Sequence, residues 1–301
     1  RKSIYTRLKC HFQFQNELKL FSDIGNREKF SINILASSSG SVDIRTISNL
    51  FSVSTIDECF DLKTKNPVGG IKNDENSWNL RGHPDRVINV NMDLLGLFAI
   101  LYDSVGTHAL ESRFPVIHSK QIMVVLEKFT LHLKRLGDLK DSYVSTVMWD
   151  ETNAVKKDHT IRRNTKFPKD AGEWILSGPH FYVGKPLHQT PQAICETHRA
   201  YDNLDLTILP EAYLPRTNYV PDCPAAEYRK RTPGVPWDDE AKVTDYYRLV
   251  YRGMLSQSGE RTLIGSIVPK GCAHIHGAQT TAFQDSSILM DTTICASSIV
   301  A

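Results

Sequence analysis

The chain has 301 residues, 41% hydrophobic and 23% charged, with 36 Lys and Arg against 34 Asp and Glu and a formal net charge of +2. These values sit near the averages of globular proteins and exclude collagen-like repeats, wholesale disorder and coiled coil as descriptions of the whole. A near-neutral chain neither demands nor excludes nucleic acid, so any basic site must be local.

No stretch approaches the roughly 20 apolar residues that span a bilayer, and the opening RKSIYTRLKCHF lacks the apolar core of a signal peptide. A cytoplasmic location is the expectation. The six cysteines are dispersed, without a CxxC pair, which suits reduced structural thiols. Residue 1 is not Met, and the apolar run from Leu289 to Ala301 has no terminating Gly, Pro or charge. Both ends suggest a piece of a longer polypeptide.

Leu18, Phe21 and Ile24 suit one helical face, and Phe30 to Leu35 (FSINIL) alternates like a strand. Ile44, Ile47, Leu50 and Phe51 recur at helical spacing, predicting a helix over Asp43 to Phe51. Residues 61 to 84 are polar and rich in Gly, Asn, Lys and Pro, the composition of a linker or long surface loop. VINV then reads as a short strand ending at Val90, with Asp93 expected to cap a helix carrying Leu94, Leu97, Phe98 and Leu101. Ser119 is expected to cap the longest helix, whose stripe is Ile122, Leu126, Phe129, Leu133 and Leu136.

After residue 140 proline becomes frequent and the apolar segments become short and alternating. Tyr143 to Trp149, Trp174 to Leu176, Phe181 to Val183, Tyr247 to Met254, Arg261 to Val268 and His274 to Phe283 read as strands. A helix from about Ser286 closes the chain. The fold class expected is α/β in the broad α+β sense, in three segments: 1–60, a loop and helical spacer over 61–140, and a β-rich domain over 141–301.

Catalytic signatures are absent: the sequence has no GxSxG, GxxxxGK[ST], GxGxxG or HExxH. Cys272, His274 and His276 share a strand face by period 2, and Cys195 with His198 forms a second ligand-like pair. Neither matches a usual zinc spacing, so no metal site is assigned and packed thiols with hydrogen-bonded rings are preferred. Asp202, Asp205 and the run Asp238, Asp239, Glu240 read as turns, a helix start or solvated charge, although a nuclease centre would be built from the same residues.

The informative composition is basic. Residues 156 to 169 hold Lys156, Lys157, Arg162, Arg163, Lys166 and Lys169 against the single acid Asp158, a local charge of +5. A β-ribbon tip or loop of this charge suits a phosphate backbone. A second group is Arg229, Lys230 and Arg231, in an expected loop. A third is Arg248 and Arg252, on one strand face by parity, with Arg261 nearby. Arg and Asn read base edges while Lys mostly holds phosphates.

EWILSGPHFYVGKPL (Glu173 to Leu187), YDNLDLTILPEAYLPRTNYVP (Tyr201 to Pro221), EYRKRTPGVPW (Glu227 to Trp237) and the segment Tyr246 to Gly277 resemble the target-recognition region of large type IIG-like, adenine-specific (N6) DNA methyltransferases of bacterial restriction-modification or phage-defence systems. The most specific element is Ser256 to Pro269. Phe12 to Leu35, with Arg27, Lys29 and Phe30, is similar to the segment that follows the catalytic loop in that family.

The resemblance implies a methylase-core remnant at 1–60 and a target-recognition domain at 141–301. It implies duplex DNA and the remainder of a methyltransferase chain as partners. The chain lacks both the Asn-Pro-Pro-Tyr loop and the Gly-rich turn for S-adenosylmethionine; its one Asn-Pro, Asn66-Pro67, is followed by Val68. Base flipping, the cofactor and methyl transfer therefore belong to a domain outside this chain, which supplies DNA positioning and sequence choice. The segment 156–169, with Lys156, Lys157, Arg162, Arg163 and Lys166, and the Arg229, Lys230, Arg231 loop are expected to contact phosphates, and Arg216, Asn218, Arg248 and Arg252 are candidates for base or phosphate contacts. The alternatives are a protein-interaction module using the tyrosines Tyr246, Tyr247 and Tyr251, and part of a metal-dependent nuclease.

Overall fold

The computed structural model describes residues 2–38, 40–61, 66–131, 135–181, 186–254 and 265–300, with side chains described to residue 294. The chain divides into two units, Arg1–Arg135 and Leu136–Ala301, and each mixes α and β structure. No helix among the described residues is long and apolar enough to cross a membrane.

The first unit opens with the helical turn α1 (Lys2–Tyr5) and the strand β1 (Leu8–Gln15). β2 (Lys29–Leu35) runs antiparallel along one side of β1, and β3 (Ile44–Leu50) runs parallel along the other. The segment expected to be a helix over Asp43 to Phe51 is thus mostly a central strand. Its spacing of three has another cause: Ile44 enters one core and Ile47 another, on opposite faces of the sheet. Asn49, at φ 57°, then resets the alternation so that Leu50 joins the side of Ile47. A strand buried on both faces reads as a continuous apolar run.

The helix expected around Leu18, Phe21 and Ile24 is replaced by a loop wound on one side chain. Buried Asn16 donates to the carbonyls of Phe21, Ile24 and Gly25 and accepts the Phe21 N–H, all within 2.9–3.2 Å. Side-chain bonds of this kind compete with helical ones, and the three apolar side chains are left exposed.

After α2 (Ser54–Cys59), β4 (Ile88–Val90) completes a sheet of order β2-β1-β3-β4. Part of the polar stretch before it is packed, since Trp78 stacks on Phe51 with ring centroids 4.6 Å apart. α3 (Met92–Tyr102) is capped by Asn91, whose Oδ1 accepts the Leu94 N–H at 2.9 Å, and Asp93 lies inside the first turn. α4 (Lys120–Thr130) follows Ser119, which sits at the cap position without a side-chain cap bond. Of its expected stripe, Leu126 reaches the core with Ile44, Val90, Leu95 and Phe98, whereas Ile122 and Phe129 are exposed. Leu133 lies outside the described residues, and Leu136 opens a 3-10 segment of the second unit.

The second unit begins with β5 (Tyr143–Thr146), α5 (Glu151–Lys156), β6 (Ile161–Lys166) and the short β7 (Ile175–Leu176). Gly178–Phe181 is a 3-10 turn; of the strand expected over Phe181 to Val183 only Phe181 is described, and the rest lies outside the described residues. β8 (Gln189–Pro191) pairs with β9 (Tyr201–Asn203), and β10 (Thr217–Pro221) pairs antiparallel with β6. α6 (Ala225–Arg231), β11 (Gly234–Val235) and β12 (Asp238–Lys242) follow.

β13 (Arg248–Arg252) is flanked by β14 (Gly265–Val268) and, after β15 (Ala273–His274), by β16 (Ala278–Phe283). β16 also pairs with β5, closing a four-stranded antiparallel sheet. The expected single strand from His274 to Phe283 is broken by a turn at Gly277, where a Cβ would meet Gly178 N at 2.7 Å. That close approach lets 273–276 lie between Trp149 and β7, bonded to both. α7 (Ser286–Val300) packs Leu289 against Leu249 and Phe283.

Candidate nucleic-acid interface

The basic segment 156–169 is a helix end, a turn and a strand rather than a ribbon tip. Lys156 closes α5, Lys157 is its C-cap, and Arg162, Arg163 and Lys166 lie on β6. Cations at a helix C-terminus also complement its dipole. Lys156 and Lys157 are exposed and have no ion-pair partner among the described residues.

Each remaining cation on β6 meets a carboxylate from another element. Arg162 Nε lies 3.2 Å from Asp222 Oδ1, Arg163 Nη2 2.6 Å from Glu151 Oε1, and Lys166 Nζ 2.6 Å from Glu173 Oε2. Alternation along the strand sends Arg162 and Arg163 to opposite faces. Arg163 is further held by the Glu196 carbonyl at 2.9 Å and lies 5.5 Å over the Tyr219 ring, while Tyr219 donates to the same Glu151 oxygen at 2.6 Å. Burial pushes the Glu151 carboxyl up, but the bonds from Tyr219 and Arg163 outweigh it and hold the pKa below the ordinary value.

The second basic group is the last turn of α6, not a loop. Alanine, glutamate and three basic residues in AAEYRKR form a helix with its cations at the favourable end. Arg229 grips Asp245 bidentately at 2.9 and 3.0 Å, and Arg231 Nε pairs with Glu227 at 2.8 Å. Arg231 Nη1 also donates to the Asp158 carbonyl and to Thr160 Oγ1, the latter at 2.9 Å. The two basic groups, separate in sequence, are therefore joined. Lys230 is exposed and has no ion-pair partner among the described residues.

The third group separates. Arg248 is 0% exposed: it donates to Thr280 Oγ1, the Cys272 carbonyl and Met148 Sδ, with no carboxylate among its partners in the described residues. Burial lowers its pKa. A guanidinium sealed in the core is out of reach of DNA, so Arg248 is a structural residue in this fold. Asn218 is also buried and accepts the Thr165 hydroxyl at 2.7 Å. Half-buried Arg216 lies 4.4 Å over the Phe167 ring and donates to the Pro191 carbonyl at 3.2 Å. Arg252 is half-buried; Arg261 and most of Ser256 to Pro269 lie outside the described residues.

Of the ligand-like residues, Cys195, Cys272 and His274 are engaged in packing. Cys272 and His274 are fully buried, burial driving the thiol pKa up to about 12 and the imidazole down to about 3, and His274 Nε2 lies 2.8 Å from Thr280 Oγ1. His276 is exposed, its Nδ1 accepting the Glu151 N–H, and Cys195 is buried while His198 is exposed. No group of three or more His, Cys, Asp or Glu among the described residues is placed to hold a metal. A buried dyad that the sequence does not announce joins Ser177 Oγ to His180 Nδ1 at 3.1 Å. Its ring is anchored on the Arg216 carbonyl at 2.9 Å and sealed from solvent, so it braces the loop.

The carboxylates that meet the cations escape the sequence reading. One signal for them exists: widening the window from 156–169 to 150–173 brings in Asp150, Glu151, Asp170 and Glu173, and the net charge drops to +1. Asp222, paired with Arg162 from 60 positions away, has no local signal. Comparison with family models, curated proteins and solved structures returned no match to this chain.

Proposed function

We propose that the second unit binds duplex DNA as a target-recognition module, using the face where the α5–β6 turn meets the end of α6. The observation that carries this reading is the Arg231 bridge to Asp158 and Thr160. It joins the two basic segments, and with them come Lys156, Lys157 and Lys230, exposed cations without an ion-pair partner among the described residues. Unpaired surface lysines suit phosphate contact, and neutralising phosphates releases counterions.

In this reading the module positions DNA for adenine-N6 methylation by a catalytic domain outside these 301 residues, and that domain holds S-adenosylmethionine. The family-like strings support this part. Fully buried Arg248 and buried Asn218 support the scaffold rather than the contact. The test is a mobility shift of random-sequence duplex with the full chain and with Lys156→Ala/Lys157→Ala/Lys230→Ala. Weaker binding by the variant at every sequence is the expected result, and equal binding would remove this face from the interface.

A further inference from the structure

Resting on that reading, we propose that Arg162 is the phosphate-contacting arginine of β6 and that Asp222 is its built-in competitor, occupying the guanidinium until a polyanion displaces it.

The two adjacent arginines differ in how firmly they are held. Arg163 has the Glu151 carboxylate at 2.6 Å, the Glu196 carbonyl at 2.9 Å and the Tyr219 ring beneath it. Moving it would strip partners from a half-buried carboxylate. Among the described residues Arg162 has one charged partner, at 3.2 Å, and its side chain is 54% exposed. A single exposed ion pair stabilises weakly and is screened by salt, so a duplex with its condensed counterions displaces it readily. Another protein's carboxylate would only replace like with like.

Asp222 is placed for this role by backbone rather than by the pair itself. Its N–H donates to the Thr160 carbonyl at 2.9 Å, which holds the residue beside the turn whether or not Arg162 is present. When Arg162 leaves for a phosphate, Asp222 keeps His159, whose Nδ1 is 3.9 Å away, and its carboxylate still faces solvent. It therefore opposes the bound state by holding Arg162 in the free chain and by repelling the backbone in the complex.

The experiment is a double-mutant cycle in random-duplex affinity, measured over a salt series with the full chain as wild type, Arg162→Gln, Asp222→Asn and the double variant. Asp222→Asn is expected to tighten binding by up to about fivefold, the range an exposed ion pair spans, and most of this gain is expected to be lost in the Arg162→Gln background, where only the repulsion between Asp222 and the phosphate backbone remains. The asparagine retains the backbone bond to Thr160; should it misfold by circular dichroism, Asp222→Ser serves in its place. No gain in the Arg162 background, or the same gain in both backgrounds, overturns the latch while leaving DNA binding standing. No salt-dependent binding by any variant, wild type included, overturns the DNA reading and the latch with it.

Discussion

The guanidinium of Arg231 donates to the Thr160 hydroxyl at 2.9 Å, tying the end of α6 to the turn before β6 across 71 positions of sequence. The same group takes the Asp158 carbonyl, and its Nε takes Glu227. Arg231→Ala is expected to lower stability, because it removes the bonds to Thr160, Asp158 and Glu227 together. Arg231→Lys keeps the charge but loses the fork that serves two segments, so it is expected to recover little of that loss. Urea midpoints of the two variants check this.

Arg248 is expected to affect folding and not DNA. Truncation to Ala leaves a core cavity and an unpaired Cys272 carbonyl and takes one partner from Thr280 Oγ1, at a cost of about 3 kcal/mol or more. Arg248→Met fills the volume without a buried charge but leaves the Cys272 carbonyl unpaired in the same way, so it is expected to recover the cavity part of that loss and to stay about 1–2 kcal/mol below wild type. Any salt-dependent binding should keep its slope in Arg248→Met. A changed slope would place this residue back in the interface.

Acid should weaken the second unit well above the carboxylate range. Burial lowers His180 to about 4 and His274 to about 3, while the unfolded chain titrates near 6.5. The unfolded state then binds the extra protons, so stability is fully present above about pH 6.5 and falls as pH drops towards the folded values. Each histidine contributes a slope of up to about 1.4 kcal/mol per pH unit. Urea unfolding at pH 7 and pH 5 is expected to differ by several times the variation at pH 7 to 8, and His274→Asn to flatten the dependence. A flat profile would contradict neutral, sealed rings.

In the first unit the cap of α3 separates two neighbours. Asn91→Ala removes the acceptor of the Leu94 N–H and should cost about 1 kcal/mol, whereas Asp93→Ala should cost far less. Thermal denaturation of both variants makes the comparison.

The legible parts of the chain are those where one local rule acts alone. FSINIL, VINV, Tyr247 to Met254 and the helix from Ser286 follow period 2 or 3.6 and emerge as β2, β4, β13 and α7. Errors arise where a distant or irregular partner overrides the pattern. Ile44 and Ile47 look helical because a doubly buried strand with a left-handed residue mimics that spacing. Leu18, Phe21 and Ile24 look helical because nothing in their order reveals that Asn16 gathers their loop. In the candidate site, composition locates the basic segments, yet it does not show Arg231 joining them, Asp222 pairing with Arg162, or Arg248 buried at the start of β13. Those relationships are tertiary and span long sequence separations.

Phosphate binding by the face around Lys156, Lys157 and Lys230 is the central claim, and the salt dependence of equilibrium binding to a random-sequence duplex tests it most directly. Log affinity is expected to fall linearly with log salt, and replacing these three lysines with Ala is expected to make the slope shallower by about 0.9 for each phosphate left without a neutralising cation. Absence of duplex binding at low salt, or an identical slope in the triple variant, would contradict it.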